Sequence, residues 1–206
     1  MTDSEPSADR PGLLARVVGG GAVVGAILWP IALGDMAVRA ISVTKEGGQR
    51  LAGSPIVPLA IALLLFSAAI AALERGATRE IRFRDLVGDL TIATSAVVFA
   101  LAAVVGSYGL LGPGFLLLFV GSVIFGAAGF DGKRRPRWGS ALVGIGAGGL
   151  LASLLVAAAL GTDRLDGVAQ TALLSLALYT VGWFWLGLGL HLALARPLIT
   201  PPGEPS

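Results

Sequence analysis

An all-α, polytopic bundle of membrane-spanning helices is the fold class this sequence predicts, and three observations predict it. The chain's 206 residues are 55% hydrophobic and only 14% charged, with a mean hydropathy of +0.83, far from the apolar and polar balance of a water-soluble domain. The apolar residues fall into six long runs separated by short polar gaps. Lys and Arg are uneven between alternate gaps, eleven on one side and four on the other, which is the asymmetry that orients helices in a membrane. The formal charge of +2 is therefore read as topology, and no basic face with interleaved aromatics points to nucleic acid.

Residues 1–12 are polar, carry Asp3, Glu5 and Asp9, and are expected to form a disordered cytoplasmic segment. No small-x-small cleavage pattern follows the first apolar run, so that run is expected to be kept as a span. The first span covers about residues 13–38, opens on Gly19-Gly20-Gly21 with Gly25 one turn on, and is interrupted by Arg16 and Asp35. Trp29-Pro30 lies toward its far end, where an indole suits the headgroup boundary and the proline suits a kink.

A polar connection leads to the clearest run, Ile56 to Leu73, which has no ionisable side chain. At about 1.5 Å per residue it covers most of a roughly 30 Å hydrocarbon core. Pro55 and Pro58 bias the incoming backbone toward extended conformations, and Pro58 suits a first helical turn because it has no amide hydrogen to lose. Glu74, Arg75, Arg79, Glu80, Arg82, Arg84, Asp85 and Asp89 then crowd one segment. A solvated connector is the preferred reading there, with a segment lying along the membrane surface as the alternative.

The third span is expected over about residues 90–111 and the fourth over 114–130, joined only by Gly112-Pro113 as an antiparallel hairpin. The fourth sits near the lower limit of about 17 residues for a crossing, so a re-entrant placement also fits. Lys133 to Arg137 form a basic loop and Trp138 reads as an interfacial anchor. The fifth span covers about residues 141–160, with Gly144, Gly146, Gly148 and Gly149 in its first half. The sixth covers about residues 168–195, and a disordered tail follows at 197–206. Six spans, with five as the alternative, place both termini in the cytoplasm.

Residues able to carry chemistry are few. The chain has no cysteine, which excludes disulfides and thiolate sites, and a single histidine, His191, without an acidic cluster beside it. No catalytic, cofactor-binding or metal-binding constellation is present, so neither an enzyme nor a resident cofactor is expected. Asp35 and Arg39 stand one turn apart and read as an interfacial pair, with contact to a substrate or partner as the functional alternative. Tyr179, Trp183, Phe184 and Trp185 cluster near the middle of the sixth span and read as bundle packing. The spacings Gly21 to Gly25 and Gly144 to Gly148 predict close helix approach.

The order of these features resembles the small membrane subunit, TctB, of the tripartite tricarboxylate transporter family over about residues 13–160. Gly53-Ser-Pro-Ile-Val-Pro58 takes the place of that family's Gly-Pro-Gly-Phe-Phe-Pro, matching at Gly53 and Pro58 and lacking the aromatic pair. Leu110 to Phe115 takes the place of its hairpin turn, and Lys133 to Arg137 that of its basic loop. The resemblance implies an accessory subunit of a secondary carboxylate uptake system in a bacterial plasma membrane. It would join a large multi-span permease and an extracytoplasmic solute-binding protein. A non-transporting structural or assembly membrane protein is the alternative. The outer corner formed by Asp35, Arg39, Arg50, Gly53, Pro55 and Pro58 is the expected partner or substrate contact, and the lipid bilayer is a partner in either case.

The topology can be checked directly in this cysteine-free chain. A cysteine placed at Gly47 is expected to react with an impermeant thiol reagent from outside intact cells, and one at Gly132 only after permeabilisation. The reverse pattern contradicts the orientation.

Overall fold

A computed structural model of the chain describes residues 10–46, 56–75, 83–105, 108–131, 137–160 and 165–193, with α1 side chains described from Val17 to Asp35. All regular structure among them is helical: α1 Arg10–Glu46, α2 Ile56–Arg75, α3 Phe83–Val105, α4 Leu111–Asp131, α5 Arg137–Leu160 and α6 Leu165–Ala193. A short 3₁₀ turn, Tyr108–Leu110, precedes α4. Five of the helices are long and apolar enough to cross a membrane, and α2 carries a shorter apolar stretch, Ile56–Ala71. Hydrocarbon offers no water to backbone groups, so each segment satisfies its own amides and carbonyls by staying helical.

Several boundaries differ from the sequence expectation: α1 runs on to Glu46, so the first part of the expected polar connection, with Arg39 and Lys45, is helical, α3 ends at Val105, and α5 opens at Arg137, taking in the end of the basic loop. Helix α3 opens at Phe83, so Arg84, Asp85 and Asp89 belong to the helix, not to a connector; residues 76–82 of that segment lie outside the described residues. Gly112 and Pro113 do not form the hairpin turn but are the second and third residues of α4. A proline there forfeits no helical hydrogen bond, because first-turn amides have no partner in any case. Helix α4 is consequently 21 residues long, about 31 Å at the usual rise, and its Leu111–Gly129 segment is long enough to cross.

Each helix packs against the next in sequence, and α6 returns to pack against α1, with a smaller contact across to α2. The result is a closed ring. Neighbours run antiparallel, as the seam positions show: on α1 and α6 Gly19 lies against His191 while Trp29 lies against Tyr179, and on α4 and α5 Gly126 lies against Gly144 while Gly129 lies against Ser140. One cluster of buried residues draws from all six helices, from Ala26 and Trp29 on α1 to Tyr179, Trp183 and Leu186 on α6. Outward stripes such as Val17, Val24, Ile27 and Ile31 on α1, and Val57, Ile61 and Leu64 on α2, stay exposed and apolar, as a bilayer requires.

Close approach at the seams is set by glycine. A Cβ on Gly126 would run into the backbone of Gly144, and one on Gly146 into the backbone of Tyr179. Gly182 stands against the Val143 amide, Gly187 against the Val23 amide, and Gly25 against the Ala62 carbonyl. The predicted Gly21 and Gly25 pair does face a neighbour, across the α1–α2 seam. Of the other pair, Gly144 meets Gly126 whereas a Cβ on Gly148 would meet only the Val123 side chain, at 3.8 Å.

Gly126→Val should therefore force α4 and α5 apart and cost about 1–3 kcal/mol or more, because backbone cannot yield as a side chain can. Gly20→Ala, where nothing lies within 4 Å, should be neutral or stabilising by up to about 1 kcal/mol through helix propensity. Unfolding midpoints followed by circular dichroism in detergent check both.

Candidate functional site: the aromatic and hydroxyl centre

Eight aromatic rings meet inside the ring of helices. Trp29 on α1 contacts Phe66 on α2, Phe115 on α4 and Tyr179 on α6, with centroids 6.5, 6.3 and 5.8 Å away. Phe66 stacks on Trp183 at 4.4 Å and 5°, and Phe125 stacks on the same indole at 5.5 Å. Phe99, Phe115, Phe119 and Tyr179 extend the chain of contacts through edge-on and stacked pairs. Each such pair adds about 0.5–1.5 kcal/mol beyond the area it buries. Helix α5 supplies no ring to this network; its glycines and Val143 and Ala147 let the large side chains of α4 and α6 close over it.

Polar groups sit among the rings. The hydroxyls of Ser122 on α4 and Tyr179 on α6 are 3.1 Å apart and fully buried, a cross-helix hydrogen bond in which either can donate. The indole nitrogens of Trp29 and Trp183 are buried with no hydrogen-bond partner, although Trp183 Nε1 lies beside the Tyr179 hydroxyl without reaching full hydrogen-bond geometry. Elsewhere hydroxyls turn back onto their own helices: Ser95 donates to the Ile92 carbonyl at 2.6 Å and Thr91 to that of Val87 at 2.7 Å, the usual solution for Ser and Thr in lipid. Among the described residues no Asp, Glu, Lys, Arg or His side chain is buried.

The residues expected to form an outer contact are only partly in view. Asp35 is half-buried on α1, and Pro58 is half-buried as the third residue of α2. Arg39 lies within α1 but its side chain is outside the described residues, as are Arg50, Gly53 and Pro55 altogether. Of the six, only Asp35 and Pro58 have described side chains. His191 is exposed near the end of α6, its backbone bordering Gly19. Among the described residues no three of His, Cys, Asp and Glu gather in a way that could hold a metal.

Two expectations about aromatic residues need correction. Trp29 is not a headgroup anchor: it is fully buried at the centre, because its face of α1 points to α2 and α6. The group on α6 divides, with Tyr179 and Trp183 one turn apart and inward, Phe184 and Trp185 outward and exposed. Trp138 is 79% exposed on α5, as an interfacial anchor would be. Ser122 was not singled out by any pattern; its importance comes only from facing Tyr179, 57 residues away.

Compared with known proteins, the chain matches no protein-family model, no curated protein and no solved structure.

Chemically the centre is a desolvated cluster of neutral hydroxyl and indole groups, with no carboxylate, imidazole, amine or guanidinium among its described members. Tyr179→Phe and Ser122→Ala should each leave a buried hydroxyl without its partner and cost about 1–3 kcal/mol. The double variant should cost less than the sum by about 0.5–1.5 kcal/mol, since the second change removes the orphaned group. Unfolding midpoints of the four proteins, taken as a cycle, check the coupling.

Proposed function

We propose that this chain is a multi-pass accessory subunit of a carboxylate uptake system, a scaffold and not the conduit itself. The observation that carries this reading is the interior: rings and glycine seams fill it, and no Asp, Glu, Lys, Arg or His side chain is buried among the described residues. A polycarboxylate crossing hydrocarbon needs cationic or dense hydrogen-bonding partners, since a buried unpaired anion is too costly to hold. The resemblance at Gly53, Pro58 and the Lys133 to Arg137 loop supports the uptake reading and, with it, residence in a bacterial plasma membrane, and the eleven-to-four distribution of Lys and Arg supports cytoplasmic termini and six crossings. A large permease would supply the pathway, an extracytoplasmic binding protein would deliver the solute, and the apolar outer faces of the ring would hold the permease within the bilayer.

The tagged chain, purified from native membranes in mild detergent, is expected to bring down a large multi-span permease. Its deletion is expected to lower uptake of labelled citrate or a related carboxylate by at least several-fold. Recovery of the chain without a permease, together with unchanged uptake, would leave a non-transporting assembly protein and end the transport reading.

A further inference from the structure

Two of the chain's four tryptophans are buried, and the other two, Trp138 on α5 and Trp185 on α6, are 79% and 54% exposed. The seam between these helices fixes where they stand. Gly139 lies against Leu186 and the Gly182 carbonyl, and Gly182 against the Val143 amide, so the two helices pass one another with position 138 opposite position 185. Successive residues turn by about 100° around a helix, and on two antiparallel helices the residues just before a facing pair turn to the same side. Trp138 and Trp185 therefore leave the bundle together, at one depth, from the outer side of the seam. The residues just after that pair turn the other way: Ser140 meets Gly129 on α4, Gly187 meets Val23 on α1, and both are buried.

Exposed Ile145, Val181 and Leu174 continue the outer face away from Arg137, and Leu174 lies about 16 Å along the helix from Trp185. That is about half of a roughly 30 Å hydrocarbon core, the depth that the acyl chains of one leaflet fill. At the other end of this strip α5 begins with Arg137, which is exposed. The sequence just before it, Lys133-Arg134-Arg135, adds positive charge, whereas α5 has no acidic residue and Asp166 stands at the opposite end of α6. An indole is apolar in its rings and a donor at its N–H, which suits it to the boundary between acyl chains and headgroups.

We propose that the α5–α6 corner carrying Arg137, Trp138 and Trp185 is a binding site for an anionic phospholipid of the adjacent leaflet. The phosphate sits at Arg137, the two indoles flank the ester region, and an acyl chain lies along Ile145, Val181 and Leu174. A zwitterionic lipid fits the apolar strip equally well but brings no net charge to the arginine, so Arg137 sets the preference. A helix of a partner protein is the poorer occupant, because two indoles at one depth beside an arginine match a headgroup boundary. The site rests on residence in a bilayer and is independent of the transport reading.

The test reads tryptophan fluorescence of the full chain in phosphatidylcholine vesicles. Increasing fractions of phosphatidylglycerol or phosphatidylcholine with brominated acyl chains are introduced, since bromine quenches only indoles that it reaches. Brominated phosphatidylglycerol is expected to quench with an about five-fold preference over brominated phosphatidylcholine, the effect of one basic residue near the surface. Trp138→Phe and Trp185→Phe, both at exposed positions, should each lower the quenchable fraction. Arg137→Gln should remove most of the preference and leave quenching by the zwitterionic lipid intact. Equal quenching by the two lipids, or a preference that Arg137→Gln leaves unchanged, would overturn the proposal. Failure of both lipids to quench the exposed pair would also overturn it, by showing that protein covers this face.

Discussion

Helices in hydrocarbon gain nothing from leaving water, so what holds this bundle together is closeness of packing. Every other feature follows from how that closeness is achieved. Glycines remove the Cβ atoms that would keep backbones apart at the α1–α2, α3–α4, α4–α5, α5–α6 and α6–α1 seams. Large rings then occupy the space that the ring of helices encloses. The two devices are complementary: Gly146 brings the backbone of α6 against α5, which carries Tyr179 and Trp183 inward to meet Phe66, Phe119 and Phe125. Dispersion across many such contacts is small per atom pair and large in sum.

The same packing explains why the interior carries so little charge. A closed ring filled with aromatic side chains has no wet surface on which a carboxylate or ammonium could stay ionised. Polar groups survive there only as hydroxyls and indoles, which are neutral and need one or two partners each. Ser122 and Tyr179 find one another across α4 and α6, and that bond is directional where the ring contacts are not. It sets the rotation of α6 relative to α4 more narrowly than stacking alone can.

How much of this was legible in the sequence depends on the level asked about. The existence of the helices was plain, because runs such as Ile56 to Leu73 exclude ionisable groups over a membrane's thickness. Their faces were not plain. A helix apolar on all sides has no polar stripe to mark its outer surface, so nothing along α1 distinguished buried Trp29 from exposed Ile27 and Ile31. An indole's chemistry favours an interface, and packing overrides that preference at Trp29. Gly112-Pro113 read as a turn because both residues break helices in their interiors, yet at the start of α4 that objection disappears. The charged start of α3 read as a connector because charge argues against lipid, although it does not argue against a helix that projects past the lipid. The Ser122 and Tyr179 pair could not be found by spacing, since 57 residues and two other seams separate its members.

Helix α6 closes the ring on α1 around the aromatic centre, and disulfide mapping in native membranes reads out that closure. Val18 on α1 and Leu190 on α6 belong to the same packed group at one end of that seam, and the chain has no cysteine of its own to interfere. A Val18→Cys and Leu190→Cys double variant should form an intramolecular disulfide readily under mild oxidation, as should a Gly21→Cys and Leu65→Cys control across α1 and α2, where a Cβ on Gly21 lies 3.0 Å from Leu65. Cross-linking of the control pair with none between positions 18 and 190 would mean an open row of helices, and would contradict the closed ring.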